Sequence, residues 1–388
     1  MYFYGKQSIC ENDIKAVTNV LKSNFLTQGP KVEEFEGSLA NYTGAKYSVA
    51  FSNATTALQA ICSASGVSKD SLVWTSANSF LASSNCALYL GAQVDFVDIQ
   101  LKDGNVCPEK LLKKIKNSKL KPDVFIPVHF AGIPCDMKKI KEICDQYNIK
   151  VIEDAAHALG AVYNEKKIGS CQYSEAAVFS FHPVKMITSG EGGAVLTNSY
   201  ELKEKLLQYR SHGMIKDQAL VQKKSKLAPW YYEMQSLGHN FRITDMQCAL
   251  GVSQLSKLDD YLKRRRYIAS FYKKNFNENN FEVLEYDKEI CNPSWHLFQV
   301  KLPEIIKHGE KVRMYDLMKK KGLTCHVHYI PIPSQPYYES LGFNELSFPQ
   351  ALKHYEQVFS LPIYYSLNDE DLKKIIEIFI SSYHELSR

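Results

Sequence analysis

Between Lys46 and about Asn198 the chain alternates short apolar runs with amphipathic stretches, and few architectures accept that rhythm. The spacing predicts strands ending at Phe51 and Thr75, then at Val94–Ile99, Val124–His129, Val151–Glu153, Ala176–Phe181 and Ala194–Thr197. Helices are predicted up to Ser65 and Leu90, over Lys110–Ile115 and Met137–Tyr147, and then over Tyr200–Tyr209 and Ile243–Leu255. Apolar strands separated by helices pack as an α/β layer structure around a mainly parallel sheet. Beyond Leu255 the rhythm changes to a long helix to Phe276, a strand Ser294–Leu302, a helix Lys311–Lys320, a strand Thr324–Tyr329 and closing helices Phe348–Phe359 and Asp369–Ser382. The expected organisation is a large domain over residues 1–255 and a smaller α+β domain over 256–388. With 388 residues, 45% of them hydrophobic, the chain can bury a core of that size.

One segment of this frame carries chemistry. Ala176–Phe181 ends in the turn His182-Pro183-Val184-Lys185, and the hairpin Gly190-Glu191-Gly192-Gly193 leads into the next strand. Desolvation between apolar strands disfavours the charged form of a lysine, and a neutral amine forms a Schiff base with an aldehyde such as pyridoxal phosphate. Three upstream segments supply what that cofactor needs. Ser52-Asn53-Ala54-Thr55 opens a helix with small residues, leaving first-turn amides free for a phosphate; an ordinary N-cap would look the same. Asp154 stands at the carboxyl end of a buried strand, where open α/β sheets bind ligands, and can pair with a protonated ring nitrogen or cap a helix. Phe80 follows another strand end and can lie on a flat ring or simply fill core.

The order of these pieces, together with Pro127-Val128-His129-Phe130-Ala131-Gly132, Glu153-Asp154-Ala155-Ala156-His157, Arg210-Ser211-His212-Gly213, Pro229-Trp230-Tyr231-Tyr232-Glu233 and Gly238-His239-Asn240-Phe241-Arg242, resembles the DegT/DnrJ/EryC1/StrS sugar aminotransferases along nearly the whole chain. The resemblance implies the type I, aspartate-aminotransferase-like fold and pyridoxal 5′-phosphate as cofactor. By match of position it implies Lys185 as the Schiff-base lysine, Asp154 on the ring nitrogen, Phe80 over the ring and His157 beside the ring hydroxyl. Ala54, Thr55 and Ser180 match the phosphate cup, completed by Asn240 from the other subunit of a homodimer. Tyr4, the stretch Asn24-Phe25-Leu26-Thr27 and the stretch His326-Val327-His328-Tyr329 match sugar-nucleotide contacts, and Asn240 counts there as well. Arg242 either supports that segment or meets an acidic donor.

Within the family the chain is most similar to the branch that moves an amino group from L-glutamate to C4 of a UDP-linked 4-keto-6-deoxy-N-acetylhexosamine of the β-L-arabino series, in pseudaminic acid biosynthesis and flagellin glycosylation. Transfer to a perosamine- or bacillosamine-type ketosugar, and a non-catalytic regulator, are the alternatives. A lysine rather than a histidine at 185 argues against the dehydratase branch. The phosphate cup departs from relatives in having Ser52 before Asn53, the usual Pro before the aromatic is missing from Ser76-Ala77-Asn78, and His326 replaces a common Gln.

The remaining features restrict partners. A net charge of +5 does not indicate a nucleic-acid partner; Lys263-Arg264-Arg265-Arg266 is expected to be a solvated helix face, and Lys223-Lys224-Ser225-Lys226 a surface loop. Ten cysteines without a Cys-x-x-Cys pair point to reduced core thiols, and no metal site is expected, although His326 and His328 would face one side of a strand. With no leader-like opening and no apolar run long enough to span a bilayer, the expected location is the cytoplasm.

Overall fold

The computed structural model describes residues 1–224, 228–302 and 307–386, so Ser225 and Lys226 of the second basic run lie outside the described residues. Seven of the apolar runs form one sheet: β1 Tyr47–Phe51, β2 Leu72–Ser76, β3 Gln93–Val97, β4 Val124–Ile126, β5 Lys150–Asp154, β6 Ala176–Ser180 and β7 Gly193–Thr197. Their order across the sheet is β1-β7-β6-β5-β4-β2-β3. Five of them run parallel from β6 to β3. β7 alone is reversed, antiparallel to both β1 and β6, as the glycine-rich hairpin requires.

Both faces of this sheet are covered, which is why its strands are apolar throughout. Along β6 successive residues enter opposite cores. Ala177 and Phe179 pack with Phe35, Leu111, Phe125 and Ile140, whereas Ala176 and Val178 pack with Leu58, Ile61, Phe96 and Leu206. A third core, around Tyr272, Phe276, Phe298, Phe359 and Phe379, is built by the C-terminal part together with Phe130, Ala131 and Ile133. No helix among the described residues is long and apolar enough to cross a membrane.

The differences from the sequence pattern have local causes. β4 stops at Ile126 because Pro127 cannot donate to the ladder, leaving Val128 with a single bridge to Asp154. The expected strand Thr324–Tyr329 is a two-residue strand, Leu323–Thr324, paired with Tyr2–Phe3, and then a lone bridge from His326 to Ser360. The expected helix Phe348–Phe359 ends at Gln357, and Val358–Leu361 is instead a strand against Phe298–Lys301, which is itself shorter than the expected Ser294–Leu302. The helices expected over Ile243–Leu255 and from there to Phe276 form as Asp245–Leu255 and Leu258–Glu278.

The arginine run corrects the expectation of a solvated face. Arg265 is buried and its Nη1 donates to the carbonyls of Trp295 (3.1 Å), His296 (3.4 Å) and Ile363 (2.8 Å). Arg266 donates to Pro293 and Gly160, and Arg264 to Leu367. A rigid guanidinium fork suits this work because it satisfies several carbonyls from one side chain. Arg265→Leu would orphan three buried carbonyls and is expected to destabilise the protein by about 3 kcal/mol, read as a lower midpoint in denaturant unfolding; an unchanged midpoint would show the carbonyls have other partners.

Candidate active site

Because β7 runs backwards, its first residue meets the last residues of its neighbours: Gly193 pairs with both Phe51 and Ser180. The chain beyond Phe51 turns into the helix Ala54–Ala64, capped by Asn53, whose side chain accepts the Thr56 amide at 2.9 Å while Thr56 Oγ1 donates to the Asn53 carbonyl at 2.8 Å. Asn53 Oδ1 is thus held by its own helix, and Ser52 Oγ lies 3.3 Å from Thr56 Oγ1. No described residue accepts from the amides of Ala54 and Thr55. A Cβ on Gly193 would lie 2.5 Å from the Ala54 nitrogen, so only glycine lets the strand approach the helix start this closely. Free amides at a helix N-terminus, next to Ser180 on the adjoining strand end, form an anion cradle.

Lys185 and Asp154 sit on the same sheet edge. The Lys185 side chain is half-buried, and desolvation pulls its pKa down to about 8, opposed by the nearby Asp154 carboxylate. Asp154 is buried, with Oδ2 accepting from Ser83 Oγ at 2.6 Å and Oδ1 from the Ala156 amide at 3.1 Å. Lys185 Nζ is 3.4 Å from His296 Nε2. His296 stacks obliquely on His157 with ring centres 4.3 Å apart, and His157 Nε2 meets the Tyr329 hydroxyl at 3.1 Å. His157 and His296 each keep a buried Nδ1 without a protein partner. Burial, with the Lys185 charge next, holds both imidazoles well below the usual histidine pKa; for His328 burial leads, followed by His326 and then Lys185.

The outer part of the pocket comes from the chain ends. Pairing of Tyr2–Phe3 with Leu323–Thr324 brings Tyr4 to 5.1 Å, ring to ring, from both His326 and His328. These two histidines lie 4.5 Å apart on one side, as their spacing predicts although the strand does not form. His328 Nδ1 is fixed by Ser360 Oγ at 2.8 Å. Phe80 is exposed, its ring 6.2 Å from that of Tyr329. Asn24–Thr27 is held instead through Thr27 opposite Thr244 and the Leu26 carbonyl accepting from the Asp245 amide, and Asn240 is exposed on the segment leading to that place.

His296, Ser83 and Ser79 escape a reading of the sequence. His296 enters from the C-terminal part, placed by Arg265 on its carbonyl and by Ser294, whose hydroxyl donates to the His157 carbonyl at 2.7 Å. Gly132, with φ +86°, leaves room there: a Cβ would lie 2.3 Å from Ser294 Oγ. The only sequence signal for His296 is a Ser-Trp-His ahead of an apolar strand.

A lysine of lowered pKa, a buried carboxylate and a free-amide cradle on one edge are what a phosphorylated aldehyde of the pyridoxal type needs, and the orphaned Nδ1 of His157 adds a polar contact for it. The class follows from a family model as well. Residues 7–380 match the DegT/DnrJ/EryC1/StrS aminotransferase family, and the chain belongs to it. It is an aminotransferase. Within the family it is 36% identical, over 98% of its length and 97% of the relative's, to the UDP-4-amino-4,6-dideoxy-N-acetyl-beta-L-altrosamine transaminase of Campylobacter jejuni. Among solved structures it is similar to Helicobacter pylori PseC, an aminotransferase of pseudoaminic acid biosynthesis (TM-score 0.90, 32% identity, 99% of each chain). A Streptococcus pneumoniae protein solved in its PMP form is similar too (TM-score 0.91, 28% identity, 99% of each chain), and pyridoxal phosphate is consistent with the family.

An amine reacts only when neutral, so cofactor-free protein should show Lys185 acetylation rising with pH through a midpoint near 8, against about 10.4 for solvated lysines. Peptide mass spectrometry across a pH series reads this directly; a Lys185 midpoint equal to that of surface lysines would contradict the desolvated site.

Proposed function

We propose that this aminotransferase carries pyridoxal 5′-phosphate on Lys185 and transfers an amino group from L-glutamate to C4 of a UDP-linked 4-keto-6-deoxy-N-acetylhexosamine of the β-L-arabino series, a step of pseudaminic acid biosynthesis. The observation that carries it is the meeting of Lys185, Asp154 and the free Ala54 and Thr55 amides on one sheet edge, in a chain similar end to end to the Campylobacter jejuni transaminase. When bound, the cofactor supplies an electron sink that stabilises negative charge at the carbon losing its proton.

The rest of the work falls to the protein. The Ala54 and Thr55 amides, with Ser180, would bind the phosphate. Asp154 would pair with the ring nitrogen, Phe80 would cover one face of the ring and His157 would lie beside its hydroxyl. Once the incoming amine has displaced it, the Lys185 amine would be the base that takes the α-proton of the donor and, in the second half-reaction, the acid that delivers a proton to C4 of the sugar. Tyr4 and the stretch from His326 to Tyr329 line the way in for the sugar nucleotide. His326 is exposed, and burial and neighbouring positive charge keep His328 neutral, so its imidazole serves as a hydrogen-bonding group.

Assembly completes the pocket in this reading. Asn240 and the stretch Asn24-Phe25-Leu26-Thr27 are exposed, with Phe25 and Leu26 at 54% and 46%, and Trp230 nearby in sequence stands 82% exposed. Such a surface suits a second copy of the chain, with Asn240 reaching the partner's phosphate cup. Asn240→Ala and Lys185→Ala proteins, each inactive or nearly so, should regain activity when mixed and allowed to exchange subunits, since one site of each mixed dimer carries neither change. No recovery despite demonstrated exchange would mean Asn240 serves its own subunit.

Substrate choice is tested with glutamate and a panel of UDP- and dTDP-4-ketosugars, products being identified by mass spectrometry and NMR. A wrong epimer leaves buried polar groups unpaired, so the L-arabino ketosugar should exceed its D-xylo epimer by at least roughly tenfold in kcat/KM. Equal rates, or preference for a dTDP sugar, would move the assignment to another nucleotide ketosugar.

A further inference from the structure

Asp154 is held by more than its strand. Ser83, buried in the first turn of the helix Ala82–Leu88, places its hydroxyl 2.6 Å from Asp154 Oδ2, and the hydroxyl of the equally buried Ser79 lies 2.7 Å from Ser83 Oγ. A carboxylate only accepts hydrogen bonds, and a serine has a single hydroxyl hydrogen. Ser83 therefore directs its hydrogen at Asp154, and Ser79 must donate to Ser83. The other carboxylate oxygen accepts the Ala156 amide at 3.1 Å, so each oxygen has a donor from a different element.

We propose that Ser83, backed by Ser79, is a positioning residue that fixes the plane of the Asp154 carboxylate and keeps the proton of its hydrogen bond to a ring nitrogen on the nitrogen; the inference rests on the pyridoxal phosphate reading of the site. The torsion about an aspartate carboxylate is broad and roughly two-fold, so covalent structure alone leaves the plane free. Donors on both oxygens remove that freedom. A hydroxyl donating to a carboxylate also draws charge from it, and a second hydroxyl behind the first strengthens the effect, more so in a buried place. The proton in a nitrogen–carboxylate hydrogen bond then resides on nitrogen, the state in which the ring accepts electrons best. Neither serine lies in the phosphate cup or on the approach for sugar, so both can be altered without touching those contacts.

The test compares wild-type, Ser83→Ala and Ser79→Ala holoenzymes loaded with cofactor labelled with ¹⁵N in the ring. In wild type the ring ¹⁵N signal should lie at the protonated position. Ser83→Ala should move it toward the unprotonated position and weaken cofactor retention, measured by equilibrium dialysis, about tenfold. Ser79→Ala should shift both in the same direction by less, while the melting curves of the cofactor-free proteins stay close to wild type. A Ser83→Ala signal at the wild-type position, with wild-type retention, would overturn the inference. Should Ser83→Ala fail to fold, an unshifted Ser79→Ala overturns it instead. A wild type that takes up no pyridoxal phosphate defeats the cofactor reading and the inference together; uptake without any shift in the variants defeats the inference alone.

Discussion

The site depends on one directional constraint: neighbouring strands of the main sheet deliver their chain turns to the same edge. Parallel strands all finish at that edge, and the single reversed strand begins there. Residues more than a hundred positions apart, Ala54 and Gly193 among them, thereby become neighbours without any long loop. A backbone amide cradle, a carboxylate and an amine can each follow a strand end, the one place in such a sheet where the backbone opens toward a ligand. Had β7 been parallel, Gly193 would lie at the opposite edge and the tight approach to the Ala54 nitrogen would be lost.

Within that edge the electrostatics are sparse. The centre holds a lysine and an aspartate, surrounded by imidazoles that burial keeps uncharged. Neutral rings give shape and hydrogen bonds without adding positive charge beside the lysine. They also leave the lysine as the group whose charge changes near neutrality. The C-terminal part fixes this arrangement through backbone contacts, with Arg265 bonded to the carbonyls of Trp295 and His296 and Ser294 bonded to that of His157.

The alternating frame of strands and helices was legible because both sheet faces are buried, so each strand is a continuous apolar run with clear ends. Lys185 and Asp154 were legible for the same reason: each follows such a run. His296 and Ser83 were not, since nothing within a few residues of either hints at a partner 111 or 71 positions away. The arginine run misled because its charge pattern is that of a wet helix, while the carbonyls it serves arrive from Gly160 and from residues 293–296 and 363–367, distant in the chain. The stretch His326–Tyr329 alternates like a strand but finds only one bridge, and Val358–Leu361 looked like the end of a helix until Phe298–Lys301 supplied an edge to pair with.

The placement of β7 between β1 and β6 also sets an order of events during synthesis. β1 emerges early, yet its one neighbour in the sheet is a strand roughly 145 residues later, and that strand must itself be seated beside β6. Until the ribosome has released the chain past Thr197, the apolar segment Tyr47–Phe51 has no edge to join, and the helix start behind it has no Gly193 to press against. A nascent chain of this protein therefore carries an unpaired, aggregation-prone strand while more than a third of its length is made.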